Sequence, residues 1–228
     1  FVPSAGAVVR AHYWPAGRQL LYPHDEPHKA IKLRSESKKT DAATIVILPG
    51  FTEFCEKYSP VVLRFHQSGH NVLVLDWPGQ GLSGHYGKDP LAVHCDDFSI
   101  YLDALDAVIE AAGLCQERLF LFGHSMGGHL ALRYASWRPS HSLGVVLSAP
   151  MMAPPVMPVW LIRGFSSFLI GMGLGHSYPP FYQVPELDQM RHYRPENKLT
   201  RWSQGYESQF LWFDDMPNLR RSGPTIGW

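Results

Sequence analysis

The fold class is decided by residues 118–135, which read RLFLFGHSMGGHLALRYA. The apolar run ending at Phe122 is short and uninterrupted, which is typical of a strand buried in a parallel sheet. A helical composition begins at Met126 and continues to Trp137. Between the two lies a Gly-x-Ser-x-Gly motif centred on Ser125, in the strand–turn–helix setting that a nucleophile elbow requires. The sequence therefore predicts a sharp turn that presents Ser125 at the carboxyl end of a strand.

Further apolar runs of the same kind occupy residues 43–48, 71–76 and 143–148, each followed within two residues by proline. Helical patterns over residues 56–68 and 91–112 lie between them. This alternation predicts βαβ units and an α/β fold, with a mostly parallel sheet flanked by helices. The run at 143–148 is expected to lack outer neighbours and to leave an apolar sheet edge exposed.

The organisation of the chain changes after Pro150, where Met, Pro, Trp, Phe and Gly dominate. No strand of the earlier kind is predicted there. We expect residues 1–150 to form the N-terminal part of the core and residues 151–225 to form a largely helical cap, with residues 226–228 starting the return to the core. Two more core strands are predicted at residues 8–13 and 30–37.

Composition excludes several classes of protein. Of the 228 residues, 45% are hydrophobic, which indicates a globular rather than a disordered chain. Lys+Arg and Asp+Glu number 20 each, and zero net charge argues against a nucleic-acid partner. Three cysteines without a framework spacing indicate a reducing compartment, so we expect a cytoplasmic protein. Prolines interrupt the uncharged runs at 139–162 and 164–185, which argues against transmembrane segments.

The Gly-x-Ser-x-Gly motif predicts a strained turn with little room around it. Side chains at Gly123 and Gly127 would collide with the turn, and His124 completes the elbow between them. Ser125 then lies at a helix N-terminus, where the dipole and free N–H groups favour developing negative charge. The alternative is a glycine-rich turn that contains an incidental serine.

An oxyanion hole needs two N–H donors, and the sequence offers a candidate for each. One is Met126, the residue after the serine, and the other belongs to the loop after the run at 43–48. Phe51 is the natural donor in that loop. The alternative is that Pro49-Gly50 forms an ordinary turn.

Two other motifs are weighed and set aside. Residues 79–84 form a Gly-x-Gly-x-x-Gly after a strand, but loop composition follows, whereas the dinucleotide fingerprint must open a helix. His66 and His70 have a ligand-like spacing, but no Glu accompanies them and Gly69 breaks the helix. We therefore expect no nucleotide, cofactor or metal ion.

Three blocks carry a resemblance to a known family. They are PGFTEFCEKY at 49–58, DWPGQGLS at 76–83 and GHSMGG at 123–128, and RSGPTIGW at 221–228 adds to them. From about residue 40 to residue 228, the chain resembles the α/β-hydrolases of the lysophospholipase L2 and monoacylglycerol lipase family. The family has Arg where this chain has Pro78, a difference expected to alter only local packing.

The resemblance implies an α/β-hydrolase fold whose triad runs Ser, Asp, His along the chain. In the family, the catalytic Asp and His follow strands that come after the cap. No residue up to Trp228 is a good candidate for either role. We therefore expect a truncated chain that lacks the last strands, the acid and the base. Because a serine hydroxyl without a histidine base is a poor nucleophile, the chain as written is expected to be nearly inactive.

The function implied by the resemblance is hydrolysis of a carboxylic ester in a lipid-like substrate, a lysophospholipid or a monoacylglycerol, through an acyl-enzyme on Ser125. One alternative is transfer of the acyl group to an alcohol by the same acyl-enzyme. A further alternative is a hydrolase-like binding protein without catalysis.

The cap contains an apolar stretch over residues 159–170 with Arg163 as its single charge. Such a stretch above the nucleophile suits a substrate with an acyl chain, and it could contact the inner face of a membrane peripherally. Candidate pocket residues are Trp160, Phe165, Phe168 and His94. The alternative for His94, which precedes Asp96 and Asp97 near the start of a helical pattern, is a structural role. The alternative is that the cap residues pack on the core.

Overall fold

The computed structural model describes residues 1–4, 7–17, 20–21, 32–33, 42–86, 89–152, 158–180, 182–183, 186–196 and 200–226. Its strands are β1 (Val2–Ser4), β2 (Ala7–Val9), β3 (Ala11–Trp14), β4 (Leu20–Leu21), β5 (Lys32–Leu33), β6 (Thr44–Leu48), β7 (Asn71–Leu75), β8 (Ala92–Val93), β9 (Leu119–His124), β10 (Ser142–Ser148) and β11 (Gly223–Pro224). Its α-helices are α1 (Ser59–Gln67), α2 (Ser99–Ala111), α3 (Met126–Trp137), α4 (Val159–Gly171), α5 (Leu187–Met190) and α6 (Ser203–Asp215). Short 3₁₀ turns occupy Cys55–Tyr58 and Pro139–His141.

The central sheet has the order β10-β9-β6-β7-β3. The first four strands in this order are parallel, and β3 is antiparallel to β7 at one edge. Thr44 at the start of β6 pairs with Asn71 in β7 and with Leu119 in β9, so these strands begin at one level. The α/β fold with a mostly parallel sheet, predicted from the four apolar runs, is confirmed.

Helices cover both faces of the middle of the sheet, which explains why β6 is almost entirely apolar. Val46 and Leu48 of β6 pack on the side of α2 and α3, in the cluster that contains Trp77. Ile45 and Ile47 point the opposite way, into the cluster that contains Val62 of α1. Since successive side chains of a strand point to opposite faces, two buried faces require an uninterrupted hydrophobic run.

Two predicted elements have different bounds in the structure. The helix predicted at 91–112 was wrong in its first part, because residues 92–93 form β8, and α2 begins at Ser99. The strand predicted at 8–13 is two strands, β2 and β3, separated at Arg10. The Arg10 guanidinium turns inward to the Asp76 carboxylate, with Nε 2.7 Å from Oδ2. Of the run predicted at 30–37, β5 is described and the remainder lies outside the described residues.

Strand β10 forms the second edge of the sheet within the described residues, where its only strand partner is β9. Leu143, Val146 and Leu147 are exposed along it, Val146 to 52%. The expected apolar sheet edge is therefore present in this part of the chain. A bare edge of this kind is a template for pairing with another strand.

The chain after Pro150 contains α4, α5 and α6, as the expected helical cap requires, and its assignment as a separate cap stays a prediction. Helix α6 packs through Phe210 and Phe213 on Phe54 of the core. In the described residues after Pro150, the strand β11 pairs in parallel with β8, and at two residues it is not an apolar run of the earlier kind. Among the described residues, no helix combines the length and apolarity that crossing a bilayer demands.

Candidate active site

Ser125 occupies a sharp turn between β9 and α3. Its φ of 50° and ψ of −117° lie where residues other than glycine are seldom found. The Ser125 N–H donates to the Ser148 carbonyl oxygen at 3.0 Å, and the Met151 N–H donates to the Ser125 carbonyl oxygen at 2.9 Å. Both neighbours come from the end of β10 and the residues after it. The strained conformation is thus held from outside the turn, at the carboxyl edge of the sheet.

There is no space for a side chain at Gly123 or Gly127, the glycines on either side of Ser125. A Cβ on Gly123 would lie 2.5 Å from the Gly127 carbonyl oxygen. A Cβ on Gly127 would lie 2.5 Å from the Pro49 carbonyl oxygen and would overlap that of Leu48. The first turn of α3 therefore lies directly against the end of β6, where the loop with Phe51 begins.

The segment from Pro49 to Cys55, which we call the β6 loop, is held by side chains from the segment after β7. Trp77 Nε1 donates to the Pro49 carbonyl oxygen at 2.8 Å, and the Cys55 N–H donates to Asp76 Oδ1 at 2.7 Å. The Thr52 N–H donates to Gln80 Oε1, and Thr52 itself has a φ of 63°. The loop is consequently ordered beside the elbow.

The two predicted oxyanion donors lie on the elements that meet here. Met126 is the first residue of α3 and is fully buried, and N–H groups in the first turn of a helix have no partner within the helix. Phe51 lies in the β6 loop and packs partly against the core. Convergence of the two N–H groups on one oxyanion stays a prediction.

A buried carboxylate, Glu53, lies inside the β6 loop. Its Oε2 accepts from the Gly50 N–H at 2.6 Å and from the Tyr58 hydroxyl at 2.5 Å, while its Oε1 accepts from Lys57 Nζ at 2.5 Å. Burial disfavours the charge, but the Lys57 cation and these donors outweigh it and lower the pKa of Glu53. Sequence reasoning assigned Glu53 no role, although an acid in an otherwise apolar loop was a visible signal.

The predicted elbow residue His124 faces this carboxylate. Its Nδ1 lies 3.0 Å from the Ser148 carbonyl oxygen, and its Nε2 lies 3.9 Å from Glu53 Oε1. Within the described residues, no histidine hydrogen-bonds to the Ser125 hydroxyl. The elbow is thus assembled around Ser125, without a base in contact with it in this part of the chain.

The family model described as serine aminopeptidase, S33 (Hydrolase_4) matches residues 39–228. The chain belongs to this hydrolase family. It is 26% identical to lysophospholipase L2 of Escherichia coli K12 over 219 residues, which cover 90% of the chain and 59% of the relative. It is 32% identical to a probable lysophospholipase L2 of Haemophilus influenzae, covering 81% and 58%.

Solved structures show the same fold at low identity. The monoglyceride lipase of Saccharomyces cerevisiae matches with a TM-score of 0.57 and 16% identity, over 99% of this chain and 66% of that one. A carboxyl esterase from Bacillus coagulans matches with a TM-score of 0.62 and 15% identity, over 96% and 64%. The chain therefore has the α/β-hydrolase fold, and it spans less than two thirds of the curated relatives named above.

The Gly-x-Gly-x-x-Gly motif at residues 79–84 surrounds a carboxylate of the same chain, that of Asp76. Asp76 Oδ2 accepts from the Leu82 N–H at 2.8 Å, and a Cβ on Gly81 would overlap the same carboxyl group. No helix follows the motif until Ser99 in the described residues. The glycines thus let the loop wrap closely around Asp76, which accounts for the motif without a nucleotide.

His94 lies in a small polar cluster with residues from other parts of the chain. His94 is buried, with Nδ1 2.9 Å from Thr225 Oγ1 and Nε2 3.1 Å from Asp96 Oδ1. Its ring lies against that of His176, with centroids 3.8 Å apart. Thr225 and His176 both belong to the segment predicted to form the cap, so His94 contacts that segment. A role of His94 at a pocket mouth stays a prediction.

The three aromatic residues predicted to line a pocket lie on the exposed side of α4. Trp160, Phe165 and Phe168 are exposed to 72%, 56% and 62%. A groove of about 620 Å³ lies elsewhere, between α2 and α3, where Leu102, His129 and Trp137 line it. A role of the three α4 aromatic residues in lining a substrate pocket stays a prediction.

Proposed function

We propose that the protein containing this chain is a serine hydrolase that cleaves a carboxylic ester of a lipid-like substrate. The observation that carries the proposal is the backbone of Ser125, strained at φ 50° and pinned at the carboxyl edge of the sheet. Strain of this kind is concentrated at functional sites. It costs stability, and an incidental serine in a turn would not require it.

In the proposed reaction Ser125 Oγ attacks the ester carbonyl carbon and forms a tetrahedral intermediate. The N–H groups of Phe51 and Met126 donate to its oxyanion, and the N-terminus of α3 adds a favourable dipole. Collapse expels the alcohol and leaves an acyl-enzyme, which water cleaves to release the fatty acid. A histidine acting as general base and a carboxylate that orients it complete the proposed mechanism.

The substrate class is proposed as lysophospholipid or monoacylglycerol. Relatives named lysophospholipase L2 support the first, and a relative from Mycolicibacterium smegmatis named monoacylglycerol lipase, 33% identical over 114 residues, supports the second. The apolar surface of α4 suits either, because both substrates carry one acyl chain.

The substrate assignment is tested by measuring fatty-acid release by the full-length gene product. We expect turnover of a 1-acylglycerol or of a lysophospholipid with the same acyl chain. The corresponding fatty amide is expected to be hydrolysed much more slowly. An added alcohol acceptor separates the two acyl-enzyme fates, since a transferase forms a new ester in place of the free acid. Absence of any ester turnover would favour a binding protein without catalysis.

We also propose that α4 contacts lipid surfaces. Seven of its side chains and those just after it are large, apolar and exposed: Trp160, Leu161, Phe165, Phe168, Ile170, Met172 and Leu174. Arg163 is the one charged residue in the helix. Short helices with aromatic and aliphatic side chains on an exposed face bind at the membrane interface.

Replacing Trp160, Phe165 and Phe168 together with serine is expected to weaken binding to phosphatidylcholine vesicles by about 100-fold or more, because each loses buried apolar area. Vesicle sedimentation measures the partition. Trp137→Ser on α3 removes an aromatic residue of 44% exposure from another surface and is expected to leave binding unchanged. Equal binding by the triple variant would contradict a role for α4.

A further inference from the structure

The position of the β6 loop is set by the segment that follows β7. Asp76, Trp77 and Gln80 each bond to the loop, at the Cys55 N–H, the Pro49 carbonyl oxygen and the Thr52 N–H respectively. These bonds reach both ends of the loop and its middle. The loop therefore has little freedom to shift relative to the sheet.

The two peptide N–H groups on either side of Phe51 are both bonded to buried side chains. The Gly50 N–H donates to Glu53 Oε2 at 2.6 Å, and the Thr52 N–H donates to Gln80 Oε1. Glu53 is buried and Gln80 is fully buried, so water does not compete for either bond. With its neighbours on both sides tied, the Phe51 peptide has a defined orientation.

The presence of a glutamine at position 80 is not explained by packing alone. Its amide oxygen accepts the Thr52 N–H, while its Nε2 is buried and has no hydrogen-bond partner among the residues that the structure describes. A buried donor without a partner is unfavourable, and an apolar side chain of similar size would avoid this penalty. The acceptor function of Gln80 is the feature that a leucine could not supply.

We propose that Gln80 and Glu53 are positioning residues that orient the Phe51 N–H toward the oxyanion formed at Ser125. The inference rests on the proposed function and adds to it two residues that touch no substrate atom. It also gives the glycine-rich block at 76–83 a role, because its turn delivers Gln80 to the β6 loop. A displacement of about 1 Å at such a donor costs roughly 100-fold in rate.

The test compares variants of Gln80 in the full-length gene product, with a soluble short-chain ester as substrate. Gln80→Leu removes the acceptor and is expected to lower kcat by about 100-fold while KM changes by less than about threefold. Gln80→Glu keeps an acceptor for the Thr52 N–H and is expected to retain kcat within about tenfold. Glu53→Leu removes the other acceptor and is expected to show the same selective fall in kcat, so the test does not depend on one variant folding.

The matched control is Gln209→Leu in α6. Gln209 is also buried, but its Nε2 donates to the Tyr206 carbonyl oxygen of its own helix at 2.8 Å. We expect it to lower Tm without lowering kcat. If Gln80→Leu behaves like Gln209→Leu, or raises KM alone, the positioning role is wrong. A wild-type protein without Ser125-dependent turnover would instead overturn the proposed function itself.

Discussion

Ser125→Ala removes ester turnover and prevents labelling by a fluorophosphonate. The unsubstituted full-length protein is expected to gain one phosphonyl group, as Ser125 Oγ bonds to phosphorus and fluoride leaves. Without the hydroxyl no acyl-enzyme forms, and only binding and the oxyanion donors remain. Loss of a catalytic serine lowers kcat by about 10⁴-fold or more. Intact mass before and after the reagent, together with fatty-acid release, measures both effects.

Ser136→Ala is the matched control for this substitution. Ser136 lies on the same helix as the elbow, is exposed, and bonds only to the Leu132 carbonyl oxygen of its own helix. We expect it to label and turn over at the rate of the unsubstituted protein. If Ser125→Ala kept full turnover, neither hydrolysis nor acyl transfer through Ser125 could stand.

Gly127→Ala is expected to destroy the elbow rather than merely slow the reaction. The added Cβ would overlap the carbonyl oxygen of Leu48 and lie 2.5 Å from that of Pro49, and both atoms belong to buried backbone. No rotamer change relieves a clash between backbone atoms. We expect a loss of at least about 4 kcal/mol in the free energy of unfolding, or no folded protein. Urea unfolding followed by circular dichroism measures the change.

Gly164→Ala makes the same chemical change where space is open. Gly164 lies within α4, and a Cβ there would meet nothing within 4 Å. Alanine in a helix interior is favoured over glycine by about 0.5–1 kcal/mol, so this variant should be slightly more stable. Equal stability of the Gly127→Ala variant and the unsubstituted protein would show that the elbow does not pack on β6 as described.

The parallel strands could be predicted because each is a contiguous run of hydrophobic residues in the sequence. Residues 45–48 and 72–75 are apolar throughout, and only a strand covered on both faces needs such a run. The strand–turn–helix setting of Ser125 could also be predicted, since its glycines are adjacent in sequence. The bounds of α2 could not, because residues 92–93 are drawn into pairing with β11, 131 positions away along the chain.

The candidate site also contains residues that could be predicted from local sequence and residues that could not. Ser125, Phe51 and Met126 were candidates because their motifs are contiguous. Glu53 and Gln80 were not, because their significance depends on which N–H groups they meet after folding. The Thr52–Gln80 bond joins residues 28 positions apart, on loops that follow different strands.

By itself, the sequence determined the α/β class, the four parallel strands and the sharp turn at Ser125. These features follow from hydrophobic periodicity and from backbone sterics within some twenty residues, both of which are written along the chain. Only the tertiary structure decided that the β6 loop is tied to Asp76, Trp77 and Gln80, and that the aromatic residues of α4 lie exposed. Hydrogen bonds between distant loops and the covering of a helix face depend on three-dimensional proximity, which sequence spacing does not encode.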